Sequence, residues 1–305
     1  MNYYSQDNEL HSVCTAGVVL SIMLFILVIC ALMLGMLAPG ACENPEVYEF
    51  VPDKRGDTIE FDDVITLNAP DLSIEIGNGV YSSLSDFTGE RYVHAADKVG
   101  DTVDMGIDVS SLQGPINWMK VRSTGISFVF IRAGYRGYSK GELFEDKRFS
   151  ENLRGAIATG MKVGIYVYSQ AITPEEAVEE AELLIRSIGK MRIALPLVID
   201  VEYADTGSGI GGRLYNAKLS KERLTAVVKA FCDTIRAAGF EPMIYSNTYM
   251  LSNRIDFDLL GRVGIWAAYP HTEMPYENRY DVWQYSWEGR VEGIDSNVDC
   301  NFMYS

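Results

Sequence analysis

From residue 105 onward, short apolar runs with strand-like composition alternate with longer stretches whose apolar positions recur every three or four residues. The strand-like runs are 106–109, 127–133, 162–168, 195–203, 242–245, 263–269 and 281–285, rich in Val, Ile and aromatic residues. Between the earlier ones lie helices. Residues 173–190 begin with Thr173 as a cap, Pro174 at the first helical position and Glu176 three residues after the threonine, and reach Gly189 at their end. Their apolar stripe is Ala177, Val178, Ala181, Leu184, Ile185 and Ile188. Residues 220–238 repeat the logic with Leu224, Val227, Val228, Phe231, Cys232 and Ile235, stopped by Gly239. A shorter helix runs through Phe149, Leu153, Ala156 and Ile157 and stops at Gly160. Such alternation predicts a parallel sheet covered by helices, an α/β fold, and seven strands predict closure into a TIM-like β/α barrel. The last strands are too closely spaced for full helices. The barrel is therefore expected to be irregular, with loops joining its final strands.

The first third of the chain follows no such pattern. Residues 1–15 are polar, and residues 16–38 are twenty-three positions without a charge. At ~1.5 Å per residue that length crosses a hydrocarbon core, so the reading is one transmembrane anchor after a short cytoplasmic N-terminus. The Ala38-Pro39-Gly40-Ala41 sequence keeps a cleaved signal peptide open as the alternative. Residues 39–104 read as an acidic stalk or a small accessory segment, with an alternating patch at 72–76 that forms a strand or a hairpin ending at Asn78-Gly79. Residues 105–305 are the barrel.

Charge sharpens this division. The chain has 305 residues and a net charge of −16; residues 1–104 hold 4 Lys+Arg against 17 Asp+Glu, a net of −13. No basic stripe accumulates anywhere, which excludes a nucleic-acid partner. The five cysteines, at 14, 30, 42, 232 and 300, show no zinc-site spacing, and His11, His94 and His271 are scattered, so neither metal nor cofactor is assigned. Cys232 reads as a buried, inert thiol, with a Cys232–Cys300 bridge left open.

The chemistry concentrates in Leu195-Pro196-Leu197-Val198-Ile199-Asp200-Val201-Glu202-Tyr203. Alternation along a strand aims Asp200 and Glu202 at one face, the inside of the sheet. Two acids in one enclosed space repel and lose solvation, so one is expected to keep its proton near neutral pH. A proton donor beside an anion suits glycoside cleavage; the plain alternative is a pair facing water or matched by an arginine such as Arg132. Asp108 at the end of the first strand and Asp299 near the end of the sequence would join them at the barrel mouth. Tyr166, Tyr168, Trp266, Tyr269, Trp283, Tyr285 and Trp287 at neighbouring strand ends offer flat faces for sugar rings, although any one of them alone reads more simply as core.

Taken in order, Gly106-Ile107-Asp108-Val109-Ser110, Gln113-Gly114, Ile116-Asn117-Trp118, Asp146, Phe149, Asn152, Gly164-Ile165-Tyr166, Asp200 with Glu202, Trp266-Ala267-Ala268-Tyr269, Trp283-Gln284-Tyr285, Gly293-Ile294 and Val298-Asp299 resemble the glycoside hydrolase family 25 lysozymes, or N-acetylmuramidases. The resemblance covers about residues 105–305. It implies an irregular β/α barrel that hydrolyses the β-1,4 bond between N-acetylmuramic acid and N-acetylglucosamine in peptidoglycan. By position, Glu202 resembles the general acid. Asp200 resembles the partner that steadies the oxocarbenium-like state or the substrate acetamido group, and Asp108 and Asp299 complete the acidic floor. Arg132 joins Tyr166, Tyr168, Trp266, Tyr269 and Trp283 as the expected substrate-binding set. Two positions depart from the family pattern: Gly134-Tyr135-Arg136-Gly137 stands where many members have Thr-Glu-Gly, and Asn117 replaces a frequent aspartate. The resulting expectation is a membrane-tethered muramidase whose catalytic domain is extracellular and acts in wall remodelling. Its rivals are a glycan-binding barrel that does not cut and a hydrolase of another amino-sugar polymer such as chitin.

Overall fold

The computed structural model describes residues 72–76, 79–85, 89–95, 98, 102–276 and 278–305, all within one compact unit, Thr66–Ser305. The uncharged stretch 16–38 and the N-terminus before it lie outside the described residues. Among the described residues no helix is long and apolar enough to cross a membrane.

Three strands, β1 (Leu72–Ile76), β2 (Gly79–Ser85) and β3 (Arg91–His94), form an antiparallel sheet. Ile76 pairs with Gly79, so Gly79 opens the second strand rather than closing the turn. The barrel follows, with β4 (Val103–Val109), α1 (Trp118–Ser123), β5 (Phe128–Arg136), β6 (Leu143–Glu145), α2 (Phe149–Ala158), β7 (Lys162–Ser169) and α3 (Pro174–Ile188). It continues through β8 (Leu197–Val201), a small hairpin of β9 (Ala204–Asp205) and β10 (Ile210–Gly211), α4 (Gly212–Ala217), α5 (Lys221–Ala237), β11 (Pro242–Asn247) and α6 (Thr248–Asn253). The last elements are β12 (Gly264–Ala268), β13 (Val282–Gly289) and β14 (Val298–Tyr304), joined without α-helices as expected.

Neighbours around the barrel run β4, β14, β13, β12, β11, β8, β7 and β5, and the β4–β5 pairing closes the circle of eight. Seven of these strands are parallel, and β14 is antiparallel to both neighbours. The long helices form as their caps dictate. Thr173 accepts from the Glu176 N–H and Glu176 reaches back to the Ile172 N–H, while Ser220 caps α5.

Strand alternation sorts the core into two layers. Phe128, Phe130, Val198, Met243, Tyr245, Trp266, Ala268 and Val282 fill the barrel, whereas Val129, Ile131, Ile165, Ile199, Ile244 and Ala267 face the surrounding layer of helices and loops. Room for the inner aromatics comes from glycine: a Cβ at Gly106 would overlap the Phe128 ring, and one at Gly164 the Phe130 ring. Where the final loops leave β13 and β14 without a helix, β3 covers them. The Tyr92 ring packs 4.4 Å from Tyr285 and 5.4 Å from Phe302, and His94 Nδ1 lies 2.7 Å from the Tyr304 hydroxyl. Burial lowers the His94 pKa to about 4, so the ring sits there neutral. Thus a segment read as stalk or accessory supplies part of the barrel's outer packing. Cys232 and Cys300 are both buried, and no disulfide joins the two.

Gly106→Ala is expected to destabilise the fold by about 1–3 kcal/mol, because the fully buried Phe128 ring has no space to move into. A denaturant midpoint unchanged from wild type would contradict this packing.

Candidate active site

The acids meet at the carboxyl ends of the parallel strands, where βα barrels place their reactive groups. Asp108 is the sixth residue of β4, Asp200 the fourth of β8, and Glu202 follows β8 directly. Because β14 runs the other way, its start lies at the same end, and Asp299 pairs in register with Asp108. All four line a cavity of about 230 Å³, together with Ser110, Leu112, Gln113, Arg132, Tyr166, Tyr168, Tyr245, Trp266 and Gln284. The expected acid set is therefore assembled in one place.

The hydrogen bonds distinguish the acids from one another. Asp108 Oδ2 accepts from the Gln284 and Asn301 side-chain amides, each at 2.9 Å. The orientation of both amides is enforced. The Trp266 indole N–H, which can only donate, bonds to Asn301 Oδ1 at 2.8 Å and turns its NH₂ toward Asp108. Gln284 Oε1 accepts from Tyr245 at 2.7 Å and from the Trp287 indole at 2.8 Å, which turns its NH₂ toward Asp108 and, at 3.4 Å, Asp299.

Proton affinities follow from this arrangement. Burial raises the Asp108 carboxyl only to about 6, because bonds from Asn301, Gln284 and Asp299 hold it down. Asp299 rises to about 9 through burial, the charges of Asp108 and Glu202, and its hydrogen bond with Asp108. Asp299 is thus the protonated partner and Asp108 the anion. Burial, reinforced by Asp108, lifts Glu202 to about 7. Asp200 is pushed well above the usual carboxylate range by burial, then by Glu202 and Asp108, against the opposing Arg132. Its Oδ1 is buried without a hydrogen-bond partner. Arg132 is itself held by Asp146, which accepts from its Nε at 3.0 Å and also from the Ser111 backbone N–H at 3.0 Å.

The aromatic expectation divides. Tyr166, Tyr168 and Trp266 line the cavity, Trp266 as a floor only 1% exposed and stacked 4.5 Å from Phe130. Trp283 does not line it. Alternation that turns Gln284 inward turns Trp283 outward, where it is fully buried against Tyr92 and Phe302. Tyr269 also lies outside the lining: it follows the end of β12, its carbonyl accepts the Trp283 indole N–H at 2.8 Å, and its ring rests on His271. Gln284, Asn301 and Tyr245 were given no site role by sequence reasoning. Their signal was a polar residue at alternate positions of an otherwise apolar strand.

The family profile of glycosyl hydrolases family 25 matches residues 107–294. The chain belongs to that family. It is accordingly a glycoside hydrolase, with Asp108, Asp200 and Glu202 inside the matched region and Asp299 just beyond it. Lysozyme M1 of Streptomyces globisporus is 27% identical over 236 residues, 74% of this chain and 75% of that protein. The autolytic lysozyme of Clostridium acetobutylicum is 26% identical over 197 residues, 64% of this chain and 54% of that protein, so this chain spans about half of its length. A solved family 25 glycosyl hydrolase from Bacillus anthracis aligns with a TM-score of 0.54 at 28% identity, covering 66% of this chain and 89% of that one. The family's barrel and the barrel described above are the same fold.

The raised Asp299 value carries a stability consequence. Between its ordinary 3.8 and its folded value of about 9, the folded state holds a proton that the unfolded state has lost, so stability falls as pH rises through that window. Asp299→Asn removes the burden of an ionisable group while keeping a donor to Asp108. Discounted for partial exposure, the gain is expected to be about 1 kcal/mol, or about 2–4 °C in melting temperature at about pH 8, shrinking toward zero near about pH 4. Equal melting curves at the higher pH would refute the assignment.

Proposed function

We propose that the chain is a muramidase that cleaves the β-1,4 bond between N-acetylmuramic acid and N-acetylglucosamine in peptidoglycan, tethered to the membrane and acting in local wall remodelling. The observation that carries the reading is the division of labour among the acids: Glu202 keeps a proton up to about 7 beside an Asp108 that is ionised above about 6. Two lysozymes among the relatives support the substrate.

In this mechanism Glu202 donates its proton to the leaving oxygen as the glycosidic bond breaks; water then adds to the anomeric carbon and its proton returns to Glu202. The Asp108 anion stabilises the positive charge that develops on the sugar ring. Asp200 lines the cavity beside Glu202, and we assign it to the substrate acetamido group. Arg132, clamped on Asp146, stands opposite Asp200 and limits the repulsion between acids. Tethering is supported by the twenty-three uncharged residues at 16–38, and peptidoglycan as substrate puts the barrel on the outer side. Membrane fractionation of cells expressing the full chain tests this: deleting residues 16–38 should move activity to the soluble fraction, and an unchanged distribution would remove the tether.

Incubating purified peptidoglycan with the full chain should release fragments with reducing muramic acid ends, identified by mass. Glu202→Gln should lower the rate about 10²–10⁴-fold while leaving the fold intact. Reducing glucosamine ends, or faster release from chitin than from peptidoglycan, would refute the muramidase reading. The kcat/KM profile should be a bell, with an acid limb near the Asp108 value of about 6 and an alkaline limb near the Glu202 value of about 7. Activity rising steadily past pH 7 would exclude Glu202 as the acid.

A further inference from the structure

Along β13 the inward residue is Gln284, and Trp283 and Tyr285 pack outward against Tyr92 and Phe302. Simple alternation would send Trp287 outward as well. Instead, the register against β14 shifts between Gln284 and Ser286 and again between Ser286 and Gly289. Bulges of this kind re-aim side chains at barrel rims. Here they turn Trp287 back toward the mouth, where its indole N–H donates to Gln284 Oε1 at 2.8 Å. The residue is nevertheless 54% exposed, whereas Trp283 on the same strand is fully buried. An indole held by its N–H edge in a residue more than half exposed is an apolar surface beside a cavity full of acids.

We propose that Trp287 is a saccharide platform at the rim of the acidic cavity and, through its N–H bond to Gln284, a positioning residue for the Asp108–Asp299 pair. The inference rests on the reading of the cavity as a muramidase site and adds to it a contact beyond the bond that is cut. The apolar face of a pyranose fits the exposed ring. The same ring orients the amide that donates to Asp108, so sugar binding at the rim and the charge state of the floor share one side chain. The Tyr245 hydroxyl holds Gln284 from the other side, which keeps the loss of Trp287 from collapsing the network.

Steady-state kinetics of the full chain on soluble, uncross-linked peptidoglycan strands, measured across pH, separate the two roles. Trp287→Phe keeps a ring face and loses the N–H; its KM should stay within about twofold of wild type while the acid limb moves to higher pH, since a loosened Gln284 no longer holds Asp108 down. Trp287→Ala should show the same shift and a KM about 3- to 10-fold higher. A wild-type KM in Trp287→Ala overturns the platform, and superimposable acid limbs in all three proteins overturn the positioning role. Wild-type chain that leaves the strands intact overturns the muramidase reading itself, whereas active wild type with unmoved variants overturns this proposal alone. Melting curves identify any variant that fails to fold, and the phenylalanine substitution then carries the test.

Discussion

Four carboxylates share one small cavity, and they cannot all be charged. Two like charges ~4 Å apart cost about 4 kcal/mol even at an effective dielectric of ~20, and burial adds to this for each group. The barrel answers by giving N–H donors mainly to one of them. Asp108 receives two amides at 2.9 Å, and Asp299 across from it keeps its proton. The donors are reliable because each amide is locked by groups that donate to its oxygen: an indole for Asn301, a phenol and an indole for Gln284.

Much of the architecture serves that arrangement. The antiparallel β14 is what brings Asp299 and Asn301 to the mouth, opposite Asp108 and beside Trp266. Inner glycines leave space for Phe128 and Phe130, and Phe130 supports the Trp266 floor on which the Asn301 bond depends. Outside, Tyr92 and His94 cover the strands that carry Gln284 and Asn301, in the sector where no helix does. The active-site electrostatics and the packing of the N-terminal sheet are therefore parts of one problem.

The parallel strands and long helices were legible because their apolar periodicity is strong and their caps are explicit, as at Thr173 and Ser220. Asp108, Asp200, Glu202 and Asp299 were legible because acids at strand ends are unusual. Strand β14 was missed for a physical reason: its inward residues, Asp299 and Asn301, are polar, so its alternation is inverted relative to an ordinary core strand. Trp283 was misplaced toward substrate because the phase of β13 is set by Gln284, a buried polar residue whose carboxylate partners are 15 and 176 positions away. The hairpin at 72–85 was half legible, its first strand from alternation and its continuation to β3 only from the fold.

The central claim is that the shared cavity holds its protons on Asp200, Asp299 and Glu202 and its negative charge on Asp108. Neutron diffraction from deuterium-exchanged crystals at about pH 6.5, between the Asp108 and Glu202 values, locates these protons directly. The account predicts a deuteron on Asp299 directed at Asp108, others on Glu202 and Asp200, and none on Asp108. A deuteron on Asp108 Oδ2, or a bare Glu202 carboxylate, would contradict it.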